Sequence, residues 1–242
     1  MARITKKSTE DARDNSTDRS VVTRNKIMEV AVRLFAERGI DGVSLNDITK
    51  AAGQRNKNAT HYHFGSKEGL LQAILDKYEP RITARRDELL DDYEARGELT
   101  LRNVVRSMIY PLVEKLSDFE GGRNYIRFSA HMVVHHTMTA VGNTTPRFQM
   151  SSVARLVKAF NDAMETELPD ALKLQRGLLI GMLLTHSLAE HSRMLDAGGN
   201  IDKALRTELF VSNLEDCCTA LLQAPISKGT LAILQPPAPK ND

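Results

Sequence analysis

The sequence predicts an all-α protein: a compact three-helix unit near the N-terminal end, then a larger helical domain, about nine helices in all. Two observations predict this. Apolar residues recur at helical spacing almost everywhere, and alternating strand patterns are scarce. The interruptions are glycine-, proline- and asparagine-rich and fall at helix-length intervals, as at Gly39, Gly53, Gly121-Gly122, Gly142 to Pro146 and Ala197 to Asn200. With 242 residues, 41% of them hydrophobic, the chain can build a substantial core in one or two domains.

The elements follow in order. Residues 1–22 are rich in Thr, Ser, Lys and Asp and are expected to be a disordered tail. A first helix is predicted from Arg24 to Arg38, with Ile27, Val30, Ala31, Leu34 and Phe35 on one face. Thr23 can cap its start and Gly39 its end. Ser44-Leu45-Asn46-Asp47 reads as a capping box opening a short second helix that stops at Gly53. A third covers about Lys57 to His63. Ser66 caps a longer helix bearing Leu70, Leu71, Ile74, Leu75 and Tyr78, which Pro80 should kink or break before Arg81 to Ala95. Further helices are predicted over Thr100–Leu116, Arg123–Ala140, Phe148–Glu167, Asp170–Leu195 and Ile201–Leu222. The organisation is therefore a tail (1–22), a three-helix unit (23–66), a larger domain (67–224) and a flexible C-terminal tail (225–242), with the Ser66 helix as bridge.

Several function classes are disfavoured. The first twenty residues have no apolar stretch resembling a signal peptide. The longest apolar run, Gly177 to Leu184, is too short to span a bilayer, so no membrane partner is expected. Cys217 and Cys218 are adjacent, with no spacing for a disulfide framework or a zinc site, and a reducing, cytoplasmic location is expected. No nucleophile elbow, phosphate loop, paired-carboxylate signature or zinc motif is present, so no enzyme and no cofactor is expected.

The three-helix unit, with its glycine-marked turn, has the pattern of a helix-turn-helix. The net charge of the chain is only +2. Yet Ile48 to Lys67 holds Lys50, Arg55, Lys57 and Lys67 and no acid. Asn56, Asn58, Thr60, His61, Tyr62 and His63 are interleaved among them. Cations suit phosphates, and amides and rings suit groove edges. On charge alone, a solvated basic surface explains the segment as well.

The order of residues adds to this. Arg24 to Tyr78, about 55 residues, resembles the DNA-binding domain of the TetR family. The matching stretches are Leu34-Phe35-Ala36-Glu37-Arg38-Gly39, Ser44-Leu45-Asn46-Asp47-Ile48, Ala51-Ala52-Gly53 and Tyr62-His63-Phe64-Gly65-Ser66-Lys67-Glu68-Gly69-Leu70-Leu71. Beyond them the likeness is one of helix count and order. The resemblance implies a homodimer whose third helices enter the major groove of a double-stranded operator. It implies a C-terminal domain that binds a small-molecule effector and dimerises through its last two helices, and a fourth helix that moves on effector binding. Family DNA contacts fall on Lys57, Asn58, His61, Tyr62 and His63. Lys67 matches a phosphate-contacting lysine, and Ser44 and Asn46 match second-helix contacts. Arg55 joins them as a cation of the same segment. Two departures stand out: the stretch from Gly53 to Phe64 is one residue longer than the common pattern, and His61 stands where tyrosine is usual, with Tyr62 beside it.

An effector cavity, largely apolar with a few polar anchors, is expected around Tyr110, Arg127, His131, Met132, His135, Phe160, Met182 and His186. Ordinary core packing explains the same stripe equally well. His131 and His135 have the spacing to share a metal, but nothing on that face completes a ligand set, so no metal is expected. The residues of Asp170–Leu195 are apolar nearly all round, which calls for a second subunit. The favoured function is a DNA-binding transcription regulator, a repressor released by an apolar effector. A helical ligand-binding protein or enzyme without a DNA role, and a DNA-binding protein governed by protein partners, remain alternatives.

Overall fold

The computed structural model describes residues 4–118, 121–141, 153–164, 168–197 and 206–234. Among them are ten α-helices and no strand. α1 runs Ile4–Arg38, α2 Leu45–Ala51, α3 Ala59–Phe64, α4 Lys67–Ala95 and α5 Leu101–Val113. After a 3₁₀ turn at Glu114–Ser117 come α6 Gly122–Val141, α7 Val153–Ala163, α8 Asp170–Ala197, α9 Thr207–Gln223 and α10 Lys228–Leu234.

Local chemistry sets most of these limits. Gly39 ends α1 with φ +73 and donates its N–H to the Phe35 carbonyl at 2.9 Å. Ser44 and Asp47 close a reciprocal capping box on α2: the Ser44 hydroxyl accepts from the Asp47 N–H at 3.1 Å, and the Asp47 carboxylate accepts from the Ser44 N–H at 3.0 Å. The Ser66 hydroxyl caps α4 by accepting from the Gly69 N–H at 3.1 Å.

Four expectations differ from the structure. Residues 1–22, expected to be a disordered tail, are helical from Ile4, so Thr23 lies inside α1 and is no cap. No glycine or proline interrupts Ile4–Arg38, and the helix extends backward although its first half lacks an apolar stripe. Pro80 does not end α4, which continues to Ala95. Proline removes one N–H from the ladder, but buried Ile74 and Leu75 before it and Ile82 and Leu90 after it anchor the helix on both sides. The segment 225–242, expected to be a loose tail, contains α10. The last long helix begins at Thr207, later than expected, because Arg206 before it is extended; the expected starts at Ile201 and Phe148 lie outside the described residues.

The buried residues form three clusters. The first holds Ile27, Leu34, Phe35, Ile48, Leu70 and Ile74 of α1–α4 together with Tyr125, Phe128 and Met132 of α6. The second joins α5, α6, α8 and α9 through residues such as Ile109, Ile126, Leu188 and Cys218. The third is small: Leu90 of α4, Val104 of α5 and Ala159 of α7. α6 thus has a place in both large cores. Between them, the hydroxyl of fully buried Tyr125 donates to Glu79 of α4 at 2.7 Å, and its ring stacks on Tyr78 at 4.2 Å. No single described helix is long and apolar enough to cross a membrane, although α9 and α10 together, bent by 56°, reach that length and composition.

Candidate nucleic-acid interface

α2 and α3 are short, so packing must fix their angle. Gly53 (φ +66) turns the chain between them, and Gly65 (φ +73) turns it into α4. Inside the corner, the hydroxyls of Thr49 and Thr60 meet at 2.7 Å, with Thr60 wholly buried. Thr49 also donates to the Leu45 carbonyl at 2.8 Å. A hydroxyl has one proton, so Thr60 must be the donor of the pair. This pin was not among the residues singled out from the sequence, because a polar residue reads as surface unless its partner is known. Arg24 was also missed. Its guanidinium lies 5.0 Å from the centre of the Phe64 ring.

The pin turns Ala59 and Thr60 inward and the opposite side of α3 outward. Tyr62 is 80% exposed, and Arg55, Lys57, Asn58 and His61 are exposed with it. The Asn58 N–H donates to the Asn56 side-chain oxygen at 3.0 Å, which shapes the entry to α3, and the Asn58 side chain makes no cap bond of its own. His63 is half-buried, edge-on to Tyr62 at 5.3 Å. Burial, and then the Arg24 charge, lower its pKa below the usual imidazole value. Lys67, half-buried at the start of α4, holds its ammonium 5.9 Å from the Phe35 ring centre. In α2, Asn46 is exposed, whereas the Ser44 hydroxyl is committed to Asp47 at 2.6 Å as well as to the cap. Of the nine residues assigned to DNA, Asn46, Arg55, Lys57, Asn58, His61 and Tyr62 are exposed, His63 and Lys67 are half-buried, and the Ser44 hydroxyl is occupied by its helix.

The description "Bacterial regulatory proteins, tetR family" matches residues 27–74, the whole of this corner. The chain is 28% identical over 160 residues to the HTH-type transcriptional regulator AcrR of Shigella flexneri, spanning 65% of this chain and 72% of that protein. It is 31% identical over 94 residues to the HTH-type transcriptional regulator TtgR of Pseudomonas putida, covering 39% of this chain and 42% of that one. It is 37% identical over 71 residues to the HTH-type transcriptional repressor ComR of Escherichia coli K12, covering 29% and 33%.

The N-terminal head, residues 27–74, is of the TetR type.

The TetR-type head is a DNA-binding unit, and the relatives are transcriptional regulators. Apart from AcrR, the matches cover less than half of these relatives, and they concentrate on the head.

The rest of the chain carries an apolar cleft of 490 Å³ between α5, α7, α8 and α9. Met108, Phe160, Met164, Leu174, Leu178 and Ile180 are among its walls. Of the eight residues assigned to an effector cavity, Phe160 alone lines this cleft. Arg127 donates to the Ser192 hydroxyl at 2.8 Å and to the Ser192 carbonyl at 2.9 Å, and it pairs with Asp196. It clamps α6 to α8 and is not a free anchor. His131 lies against Gly39, 3.7 Å from the place a Cβ would occupy there. His135 approaches Asp41 at 3.9 Å. Met132 belongs to the head core. Tyr110 is at the surface, with its pKa raised by partial burial and by Glu215. Met182 is half-buried and His186 exposed on α8. The α6 stripe faces α1 and α8 where the sequence suggested a cavity, because periodicity identifies a buried face and not its neighbour. Among the described residues, no cluster of three or more His, Cys, Asp or Glu is arranged to hold a metal.

Proposed function

We propose that this regulator is a homodimeric repressor that binds a pseudo-palindromic operator and is released by a small, largely apolar molecule. The observation that carries the DNA-reading part is the exposed, acid-free face of α3, pinned from behind by Thr49 and Thr60. An 80%-exposed tyrosine flanked by histidine, asparagine and lysine suits a groove wall and phosphates. Arg55, Lys57 and Lys67 position the head, and Asn46, Asn58, His61, Tyr62 and His63 read base edges.

Dimerisation is supported by α8 and α9. Leu174, Leu178 and Leu179 on α8 are exposed, as are Met194 farther along it and Leu209 on α9, and nothing in the protomer approaches Gly177 or Gly181 within 4 Å of an added Cβ. Such a surface is costly to leave in water, and a second copy covers it. The effector reading rests on the apolar cleft, whose volume lies within the usual range for small-molecule sites. Its flexible Met108 and Met164 suit an irregular apolar ligand.

The route to the head runs through α7. Phe160 lines the cleft and packs against the cluster around Leu90 of α4. Five residues earlier, Arg155 pairs with Asp87 at 3.4 Å, with Asp91, and with Glu94 at 3.5 Å, all on α4. A ligand that displaces α7 therefore pulls on the helix whose first residue is Lys67.

The experiment selects a bound sequence from random DNA, footprints it, and then titrates candidate apolar ligands with and without saturating operator. Two half-sites about one helical turn apart are expected. Ligand affinity must fall when operator is bound, because the coupling is reciprocal. A ligand affinity unchanged by operator overturns effector release. A single asymmetric footprint overturns the dimeric reading.

A further inference from the structure

A second cleft, unlike the apolar one, lies at the seam between the head and the rest of the molecule. Its volume is 750 Å³, and α1, α4, the 3₁₀ turn and the start of α6 wall it. Four cations from three of these elements line it, Arg33 of α1, Lys77 and Arg81 of α4 and Lys115 of the turn, against two carboxylates, Glu29 of α1 and Asp118 just after the turn. Asn124 of α6 adds an amide. The floor is apolar, made by Val30 and Val32 with the half-buried Tyr78 ring.

The cations are only partly matched. Lys115 holds Asp118 at 3.0 Å, which is a good pair. Lys77–Glu29 at 3.6 Å and Arg33–Glu37 at 3.7 Å are long, solvent-exposed pairs of the kind that contribute little. No ion pair among the described residues includes Arg81. The side chains of Arg33, Lys77 and Arg81 are therefore free to turn toward a better acceptor at small cost.

This cleft is not part of the DNA-reading face. Arg81 lies fourteen residues beyond Lys67 on the same helix, about 21 Å along its axis. A concave site of this size admits a metabolite and not a duplex.

We propose that the seam cleft is a binding site for a small organic anion carrying phosphate or carboxylate groups with at least two negative charges. Arg33, Lys77 and Arg81 hold it from the head side, and Lys115 and Asn124 from the body side. Charge-assisted hydrogen bonds from guanidinium and ammonium groups supply the affinity. An anion so placed ties α1 and α4 to α6 at the seam that a moving head must open. The site is separate from the apolar cleft and stands whether or not that cleft takes a ligand.

The test uses the full chain, with pyrophosphate and citrate as probes in isothermal titration calorimetry at constant ionic strength. Saturable binding of at least one probe, one per protomer, is expected. Lys77→Gln/Arg81→Gln alters only exposed side chains and is to be checked for unchanged helicity. It is expected to weaken binding by about tenfold or more. Arg55→Gln/Lys57→Gln, which alters the DNA-reading face, is expected to leave binding unchanged. Absence of saturable binding of both probes overturns the proposal. So does binding that survives Lys77→Gln/Arg81→Gln, and so does binding abolished by Arg55→Gln/Lys57→Gln, which would place the anion on the DNA-reading face.

Discussion

The hydroxyl pair behind the reading helix makes an asymmetric prediction. Thr60 donates to Thr49, and Thr49 donates to the Leu45 carbonyl. Thr60→Val removes the donor and leaves only an unused lone pair on Thr49. The cost is that of one net hydrogen bond, about 1 kcal/mol. Thr49→Val removes the acceptor of a wholly buried O–H and one partner of the Leu45 carbonyl. An unsatisfied buried donor costs about 1–3 kcal/mol, so Thr49→Val is the more damaging change. In the double variant the orphaned O–H is gone, and its cost is smaller than the sum of the two singles by about 1 kcal/mol. Urea denaturation at one fixed protein concentration measures all three, because dimerisation makes stability depend on concentration. The DNA affinity of each variant should fall in the same order, since the pin sets the angle of α3. Equal single costs, or strict additivity, would refute the assignment of donor and acceptor.

Other outcomes follow from the same geometry. Lys67→Ala should weaken binding to all DNA sequences and flatten the salt dependence, whereas His61→Ala should change base preference; gel-shift titrations over a salt series separate the two. Leu179→Glu puts a charge where a 53%-exposed leucine awaits a partner, and sedimentation should then find monomers at concentrations where the parent chain is dimeric. The pKa values of His63, His131 and His191 are each lowered mainly by burial. The unfolded chain therefore binds more protons than the native one as pH falls below about 6.5, so stability is greatest above that value and is lost on acidification; urea midpoints that rise from pH 7.5 to pH 5.5 would contradict this.

What the sequence made legible was local. The capping box at Ser44 and Asp47, the Ser66 cap and the closing Gly39 each depend on residues within a few positions, and the structure has all of them. The exposed chemistry of α3 was legible for the same reason. Long-range choices were hidden. An apolar stripe on α6 announces burial but not its neighbour, so Met132 looked like a cavity wall and is in fact head core. Arg127 looked like a ligand anchor because Ser192 and Asp196, its partners, are more than sixty residues away. The first half of α1 has no stripe, yet nothing in it stops a helix already propagating from the other end.

Tyr125, Phe128 and Met132 have a consequence for how such proteins can be recombined. These three side chains come from the body yet close the hydrophobic interior of the head. Exchange of an N-terminal segment ending near Ser66 with a relative would join two half-matched surfaces, large aromatics on one side and an unrelated hollow on the other. A mismatch of even a few methylenes in a packed interior is destabilising. The heritable unit of exchange is therefore the head together with the inward face of α6. Hybrid regulators built from this chain should keep that face native to whichever head they carry.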